Sequence, residues 1–392
     1  MEHSTPTIHL VNGLKSLVET LENRGNGLET ASNVLEPEPP PTQNQTPLVQ
    51  TDEGRSSYCG TDLQALCDEG CFEDVMWLLI NRSRPDHEQL ADTVAILNDA
   101  AVIDRPLAET ISTVPLQTRP LDFFPLSISL LSCFDPTPSD VSAHATRSQF
   151  WRLMAQLPVL MHVALGGDIE DGRPVFPEGC SDPEISADID EPATSWAGRL
   201  LQILRTDNHP VSATEEHAMN VLMTCECMTD ERAADCTARS VGAAVTDIIA
   251  AWKASSAVFV SQLRNDPYSW TATLMRSFVN PSYAEQWWAS RGGKGMPFGF
   301  AAAPEEDRSM LLREQCQELL GSVPAMVMEA SCSRLEAVRA EDDRFPTTDW
   351  TATRLLSLLG VPEDRISVAI GMARLVGWAA HHLDQCERGS VD

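Results

Sequence analysis

The sequence between residues 363 and 385 constrains the fold more than any other part of the chain. It reads EDRISVAIGMARLVGWAAHHLDQ, in which small residues such as Gly371 and Gly377 are interspersed with large apolar ones. Small side chains let neighbouring helices approach and large ones fill a core, so the pattern predicts a helix that is buried on most sides. Arg374 lies in the middle of this helix. A buried arginine needs either an internal salt bridge to Asp or Glu, or a ligand carboxylate that its guanidinium can grip.

Apolar residues recur at spacings of three and four along most of the chain. Leu63, Leu66 and Cys67 are one example, and residues 355–359 are another. This spacing is typical of amphipathic helices. Alternating strand patterns bounded by tight turns are nearly absent, so the sequence predicts an all-α fold.

The composition excludes several classes of partner. The chain has 392 residues and a net charge of −29, which argues against nucleic acid, because such binding is driven by clustered Lys and Arg. No apolar run approaches the roughly 18 residues that a membrane helix needs, and the N-terminal residues lack the pattern of a signal peptide. Eleven scattered cysteines fit reduced thiols better than a disulfide framework. We therefore expect a cytoplasmic protein without a membrane or nucleic-acid partner.

The nearest approach to a metal signature is Cys225-Glu226-Cys227, with Cys236 nearby and His217 upstream. Neither spacing is that of a zinc knuckle, and residues two apart on a helix point to different faces. These side chains are better interpreted as small core residues, so no metal site is predicted.

Two segments are typical of solvated chain rather than of core. Residues 24–57 contain a proline-rich run followed by Gln, Asn and Thr, which predicts an extended linker. Residues 166–194 carry many acidic side chains among Gly and Pro, which predicts an acidic loop.

Residues 349–385 resemble the closing two helices of the citrate synthase family, whose bacterial members end in a pattern close to DFYSALVLRALGIP, then an apolar helix with AR, then GW-AH-LEQ. Further matches follow in order along the chain. Residues 58–63 resemble the family's YRGYDI, residues 72–79 its FEEVAYLLL, and residues 152–158 its RLIAKLP. This resemblance, which covers about residues 55–388, implies the all-α citrate synthase fold.

The resemblance also implies a domain organisation. A large domain would comprise residues 58–228 and 342–392, a small domain residues 229–341, and residues 1–57 would be a partly disordered extension and linker. The family is dimeric, with its active site in the cleft between the two domains. The small-residue helix at 366–380 also favours a homodimer, because together with apolar helices near 147–165 and 195–205 it offers more apolar surface than one subunit needs.

Members of the family condense an acyl-CoA, usually acetyl-CoA, with oxaloacetate to citrate, using an Asp and two His. No cofactor is implied, because the acyl-CoA is a substrate. The motif alignment places Thr229 at the His that polarises the thioester and Arg264 at the His that polarises the oxaloacetate carbonyl. The base aligns with Glu306 or, if the gap is moved, with Glu305 or Asp307.

Other positions also depart from the family pattern. Phe300 replaces a further His, and the basic tail that supplies an Arg across the dimer is not matched in this sequence. Arg374 does match the family's carboxylate-binding Arg, and it could bind oxaloacetate or citrate unless acidic neighbours such as Glu306 or Asp307 neutralise it.

These substitutions predict lost or strongly reduced condensation activity. Losing one preorganised donor typically costs about 10²–10³ in rate, and several roles are changed here together. The sequence thus favours a structural or regulatory homologue, with an active paralogue as a candidate partner. The alternative is an active, divergent acyl-CoA-condensing enzyme with altered catalytic groups.

Overall fold

The computed structural model describes residues 46–52, 54–115, 117–135, 140–175, 195–206, 209–229, 232–244, 246–290, 298–302 and 307–389. Helices account for most of these residues, which confirms the all-α prediction. The first eight helices are α1 (Leu63–Glu69), α2 (Phe72–Asn81), α3 (His87–Asp99), α4 (Arg105–Ser112), α5 (Pro120–Cys133), α6 (Ala143–Ala164), α7 (Trp196–Leu204) and α8 (Ala213–Glu226). The next eight are α9 (Ala233–Ala243), α10 (Ile248–Gln262), α11 (Pro267–Ser277), α12 (Pro281–Ser290), α13 (Asp307–Glu318), α14 (Val323–Ala340), α15 (Thr348–Leu358) and α16 (Ile366–Gly389).

Three small antiparallel sheets accompany the helices. The first contains β1 (Val49–Asp52), β2 (Arg55–Tyr58) and β3 (Thr61–Asp62). The other two are the pairs β4 (Ile169–Glu170) with β5 (Arg173–Pro174), and β6 (Phe300–Ala301) with β7 (Phe345–Pro346).

Each of the two segments that the sequence predicts to be solvated chain contributes strands to these small sheets. The end of the predicted linker forms β1 and the start of β2, which pair antiparallel, and Ser56 of β2 donates through its backbone nitrogen and its hydroxyl to the carboxylate of Asp307. The start of the predicted acidic loop forms β4 and β5. Residues 1–45 and 176–194 lie outside the described residues.

Helix α16 is the centre of the main hydrophobic core. Its residues from Ile366 to Ala380 are almost completely buried. A Cβ atom at Gly371 would lie 2.9 Å from the ring of Phe124 and 3.0 Å from that of Phe259. The prediction that small residues let neighbouring elements approach this helix is therefore confirmed.

The ends of three helices meet the middle of α16. Helix α8 begins with a capping box formed by Ser212 and Glu215 and ends at Glu226. Helix α9 begins directly after Arg232, its N-cap residue, and α15 carries Asp349 in its first turn. Charged side chains at these three ends are thereby brought to Arg374.

A second, smaller hydrophobic cluster lies between residues 274 and 350. It contains Trp288, Phe300, Met328 and Trp350. The division into a large and a small domain stays a prediction. Among the described residues, no helix combines the length and the apolar character needed to cross a bilayer.

Candidate functional site

The guanidinium of Arg374 lies against two carboxylates. Its Nη2 donates to Glu226 Oε2 at 3.0 Å and to Asp349 Oδ1 at 3.4 Å. Its central carbon lies 5.0 Å from the centre of the Phe259 ring, a distance at which a cation is attracted to the aromatic face. Of the two alternatives for this arginine, the structure contains the internal salt bridge.

Arg232 approaches the same two carboxylates from the start of α9. Its Nη1 lies 3.4 Å from Glu226 Oε2 and its Nη2 lies 3.4 Å from Asp349 Oδ1. Burial acts to lower the pKa of Arg232, but the charges of Asp349 and Glu226 outweigh it, so the pKa is raised. We refer to Glu226, Arg232, Asp349 and Arg374 as the charge cluster, which pairs two cations with two anions.

Tyr268 links the two sides of the charge cluster. Its hydroxyl donates to Asp349 Oδ1 and accepts a hydrogen bond of 3.2 Å from Arg374 Nη2. Burial, reinforced by the charges of Asp349 and Glu226, raises the pKa of Tyr268 well above its ordinary value. The phenol therefore stays protonated at neutral pH and acts as a hydrogen-bond donor.

The two halves of the charge cluster differ in exposure. The side chains of Glu226 and Arg374 are 1% and 9% exposed, whereas those of Asp349 and Arg232 are 23% and 28% exposed. Glu226 and Arg374 thus form the buried pair. Removing one partner of such a pair leaves an uncompensated charge in a poorly solvated place.

Thr229 lies near this cluster but is held by a separate network. Its hydroxyl donates to Asp235 Oδ2, while the other oxygen of Asp235 accepts a 3.0 Å bond from Trp378 Nε1. The backbone oxygen of Thr229 lies 2.8 Å from His381 Nε2. Burial raises the pKa of Asp235, and these hydrogen bonds oppose the rise. A threonine hydroxyl has one proton to donate, and here Asp235 accepts it.

Arg264, the other position aligned with a family His, is exposed. It follows the end of α10, and its backbone oxygen accepts a 3.4 Å bond from Arg119 Nη1. Within the described residues, its guanidinium is not among the contacts of Arg374. The second cation beside Arg374 is therefore Arg232, which the motif alignment does not single out.

Of the three candidate bases, the structure describes only Asp307. Glu305 and Glu306 lie outside the described residues. Asp307 opens α13, and its carboxylate accepts bonds of 2.5 and 2.9 Å from the backbone nitrogen and hydroxyl of Ser56. Asp307 is thus bound to strand β2, whereas the hydrogen bonds of Arg374 in the described part of the chain go to Glu226, Tyr268 and Asp349.

Arg308, the next residue, is a further buried cation. Its Nη1 donates to the backbone oxygens of Cys225 at 3.2 Å and Met228 at 2.5 Å. Its guanidinium also lies 5.5 Å from the centre of the Tyr58 ring. These contacts fix the end of α8 and the residues that follow it.

Sequence signals for the missed members of the charge cluster were present but ambiguous. Glu226 lies between two cysteines at the end of α8 and opens the segment that aligns with the family's HADHE motif. Asp349 is the acid that begins the segment resembling the family's closing helices. Neither signal identifies Arg374 as the partner.

Comparisons with known proteins agree on one family. The family model described as citrate synthase, C-terminal domain, matches residues 42–391. The chain is 23% identical over 358 residues to 2-methylcitrate synthase 1 of Corynebacterium glutamicum, covering 88% of each sequence.

Solved structures share the fold. The citrate synthase of Thermoplasma acidophilum, in a ternary complex with carboxymethyl coenzyme A and oxaloacetate, aligns with a TM-score of 0.71 at 15% identity, covering 88% of this chain and 90% of that one. The citrate synthase of Pyrobaculum aerophilum aligns with a TM-score of 0.70 at 14% identity, covering 88% and 87%. These likenesses confirm the predicted citrate synthase fold.

Proposed function

The chain belongs to the citrate synthase family, and we propose that it is a member in which condensation of an acyl-CoA with oxaloacetate is lost or strongly reduced. It would then act as a structural or regulatory homologue. The observation that carries this proposal is the salt bridge between Arg374 and Glu226, because a protein carboxylate already pairs with the guanidinium that a substrate carboxylate would need.

The chemistry of the reaction gives a second argument. Enolising a thioester needs a base beside the methyl group and a hydrogen-bond donor on the thioester oxygen, and an acid must polarise the acceptor carbonyl. Thr229, in one of these roles by alignment, donates its only proton to Asp235. Arg264, in another, is exposed and apart from the contacts of Arg374. Neither side chain can exchange protons near neutral pH as an imidazole does.

A thiol-release assay tests the proposal. Purified protein is mixed with oxaloacetate and either acetyl-CoA or propionyl-CoA, because 2-methylcitrate carries one methyl group more than citrate. We expect turnover below about 10⁻³ of an ordinary member's rate. Thiol release at an ordinary rate by protein free of host enzyme would contradict the proposal.

A divergent active enzyme is the second candidate, and one observation favours it. Asp349 is a partly exposed carboxylate beside the phenol of Tyr268, so a base and a neutral donor lie together. In that case Asp349→Asn would abolish thiol release, while a carboxylate outside the cluster such as Glu285, changed to Gln, would leave it unchanged. In the inactive homologue neither substitution has activity to remove.

We also propose that the protein is cytoplasmic and that it forms a homodimer, the oligomeric state that the family resemblance implies, with an active paralogue as a further candidate partner. Residues such as Met372 and Trp378 are already buried within the subunit, so the dimer would have to use surfaces other than α16. Sedimentation at micromolar concentration tests this, since a species of only 43.0 kDa would contradict it.

A further inference from the structure

Glu226 occupies an unfavourable position for a carboxylate. It is the last residue of α8, where the helix dipole is negative and disfavours an anion. Its side chain is 1% exposed, and burying a charge is costly unless the charge is paired. Neither the dipole nor the surrounding apolar residues compensate this charge, so cationic partners must do so, and Arg374 and Arg232 are among them.

The backbone holds this carboxylate in place. The amide of Gly377 donates to the backbone oxygen of Cys227, the next residue after Glu226, at 3.1 Å. Arg308 donates to the backbone oxygens on either side, at Cys225 and Met228. The end of α8 is thus fixed against α16, and Glu226 reaches Arg374 as a preorganised anion.

Arg374 has a remaining capacity to bind an anion. Its Nε is buried and makes no hydrogen bond within the described part of the chain. Only Nη2 contacts the carboxylates. A guanidinium can present two parallel donors to one carboxylate, which this arginine does not do with Glu226.

We infer that Glu226 is a built-in substitute for a ligand carboxylate, and that it is the residue that excludes small carboxylic acids from Arg374. This inference rests on the proposed function. With Glu226 present, the charge cluster is neutral, and a further carboxylate would introduce an unpaired negative charge. Without it, the cluster has one excess positive charge beside a vacated space.

The substitution Glu226→Ala tests the inference, and the atoms that it removes determine which ligand to use. It removes one methylene and one carboxylate, which together correspond to acetate. Sodium acetate is therefore the probe, with sodium chloride at equal ionic strength as the reference. We expect Glu226→Ala to be less stable than the wild type and to gain a saturable rise in melting temperature with acetate, with an apparent Kd at least about tenfold tighter than that of the wild type. Adding Arg374→Gln should abolish the gain.

Glu329→Ala is the matched control. Glu329 pairs with Arg354, another buried arginine, which also contacts Glu336 at 2.8 Å. Each arginine keeps a second carboxylate, but the side chain of Arg354 is 0% exposed whereas that of Arg374 is 9% exposed, so the control should lose stability without gaining acetate binding. An equal gain in both variants would mean that acetate acts non-specifically and would overturn the inference.

The folding and the acetate binding of the Glu226 variants determine whether the inference is supported or overturned. If Glu226→Ala fails to fold, refolding in acetate but not in chloride would support the inference, and Glu226→Ser, a polar truncation that also leaves the space vacant, can be titrated with acetate by calorimetry. If neither variant binds acetate or refolds in it at 100 mM, the inference is overturned. Turnover by the wild type would instead contradict the proposed function, so the two failures are distinguishable.

Discussion

The backbone nitrogen of Gly377 lies 3.1 Å from the backbone oxygen of Cys227, and a Cβ atom at position 377 would lie 2.2 Å from that oxygen. Helix α16 and the end of α8 are therefore in direct backbone contact. Arg374 lies one turn before Gly377 on the same face of α16. The contact at Gly377 therefore determines where Glu226 lies relative to Arg374.

The first prediction follows from this contact. Gly377→Ala must push the two backbones apart, and overpacking of this kind typically costs about 1–3 kcal/mol. Urea denaturation monitored by circular dichroism measures the loss. Gly321→Ala is the control, because a Cβ atom there meets nothing within 4 Å, and it should leave the unfolding free energy nearly unchanged. Equal stability of both variants would show that the contact is not a constraint.

A double-mutant cycle tests the buried salt bridge. Arg374→Met or Glu226→Gln alone leaves one charge uncompensated, at a cost of about 3–5 kcal/mol. The double variant leaves neither member of the pair charged, so its loss should be clearly smaller than the sum of the two single losses. The unfolding free energies of the four proteins give the coupling directly. Additive losses would mean that the two side chains do not interact.

Restoring histidines should not restore activity. In Thr229→His with Arg264→His, Glu226 still pairs with Arg374, and position 264 is still exposed. We expect thiol release to stay below about 10⁻³ of an ordinary member's rate. Recovery of an ordinary rate in the double variant would show that the imidazoles alone were lacking.

Two buried histidines of α16 should make the stability of the protein depend on pH. Burial lowers the pKa of both His381 and His382 to about 4, from an ordinary value of 6.5. The unfolded chain therefore binds more protons between these values, so the unfolding free energy should fall as the pH drops from 6.5 towards 4. Each ring contributes up to about 1.4 kcal/mol per pH unit.

A substitution measures the contribution of His382 to this pH dependence separately from that of His381. His382→Gln should reduce the slope of unfolding free energy against pH by about one proton between pH 4.5 and 6. The wild-type protein, measured over the same pH range, is the reference. An unchanged slope in His382→Gln would mean that this ring is protonated in the folded protein.

Much of the fold could be predicted from local sequence. The spacing of apolar residues predicts helices, and the Gly and Ala residues around Arg374 predict that α16 is closely packed. Both follow from properties that act within one helix, namely the helical period and side-chain volume. The demand of Arg374 for an anion could be predicted in the same way, because it depends only on burial.

The identity of that anion was decided by the tertiary structure alone. Glu226 is 148 residues from Arg374 in the chain, and Asp349 is 25 residues away. The sequence offers Glu306 or Asp307 as possible neutralising neighbours, but Asp307 is bound to Ser56 and Glu306 lies outside the described residues. An ion pair requires two charges within about 4 Å, and that distance is set by how the ends of α8, α9 and α15 pack on α16. The sequence of any one helix contains the charge but not its partner.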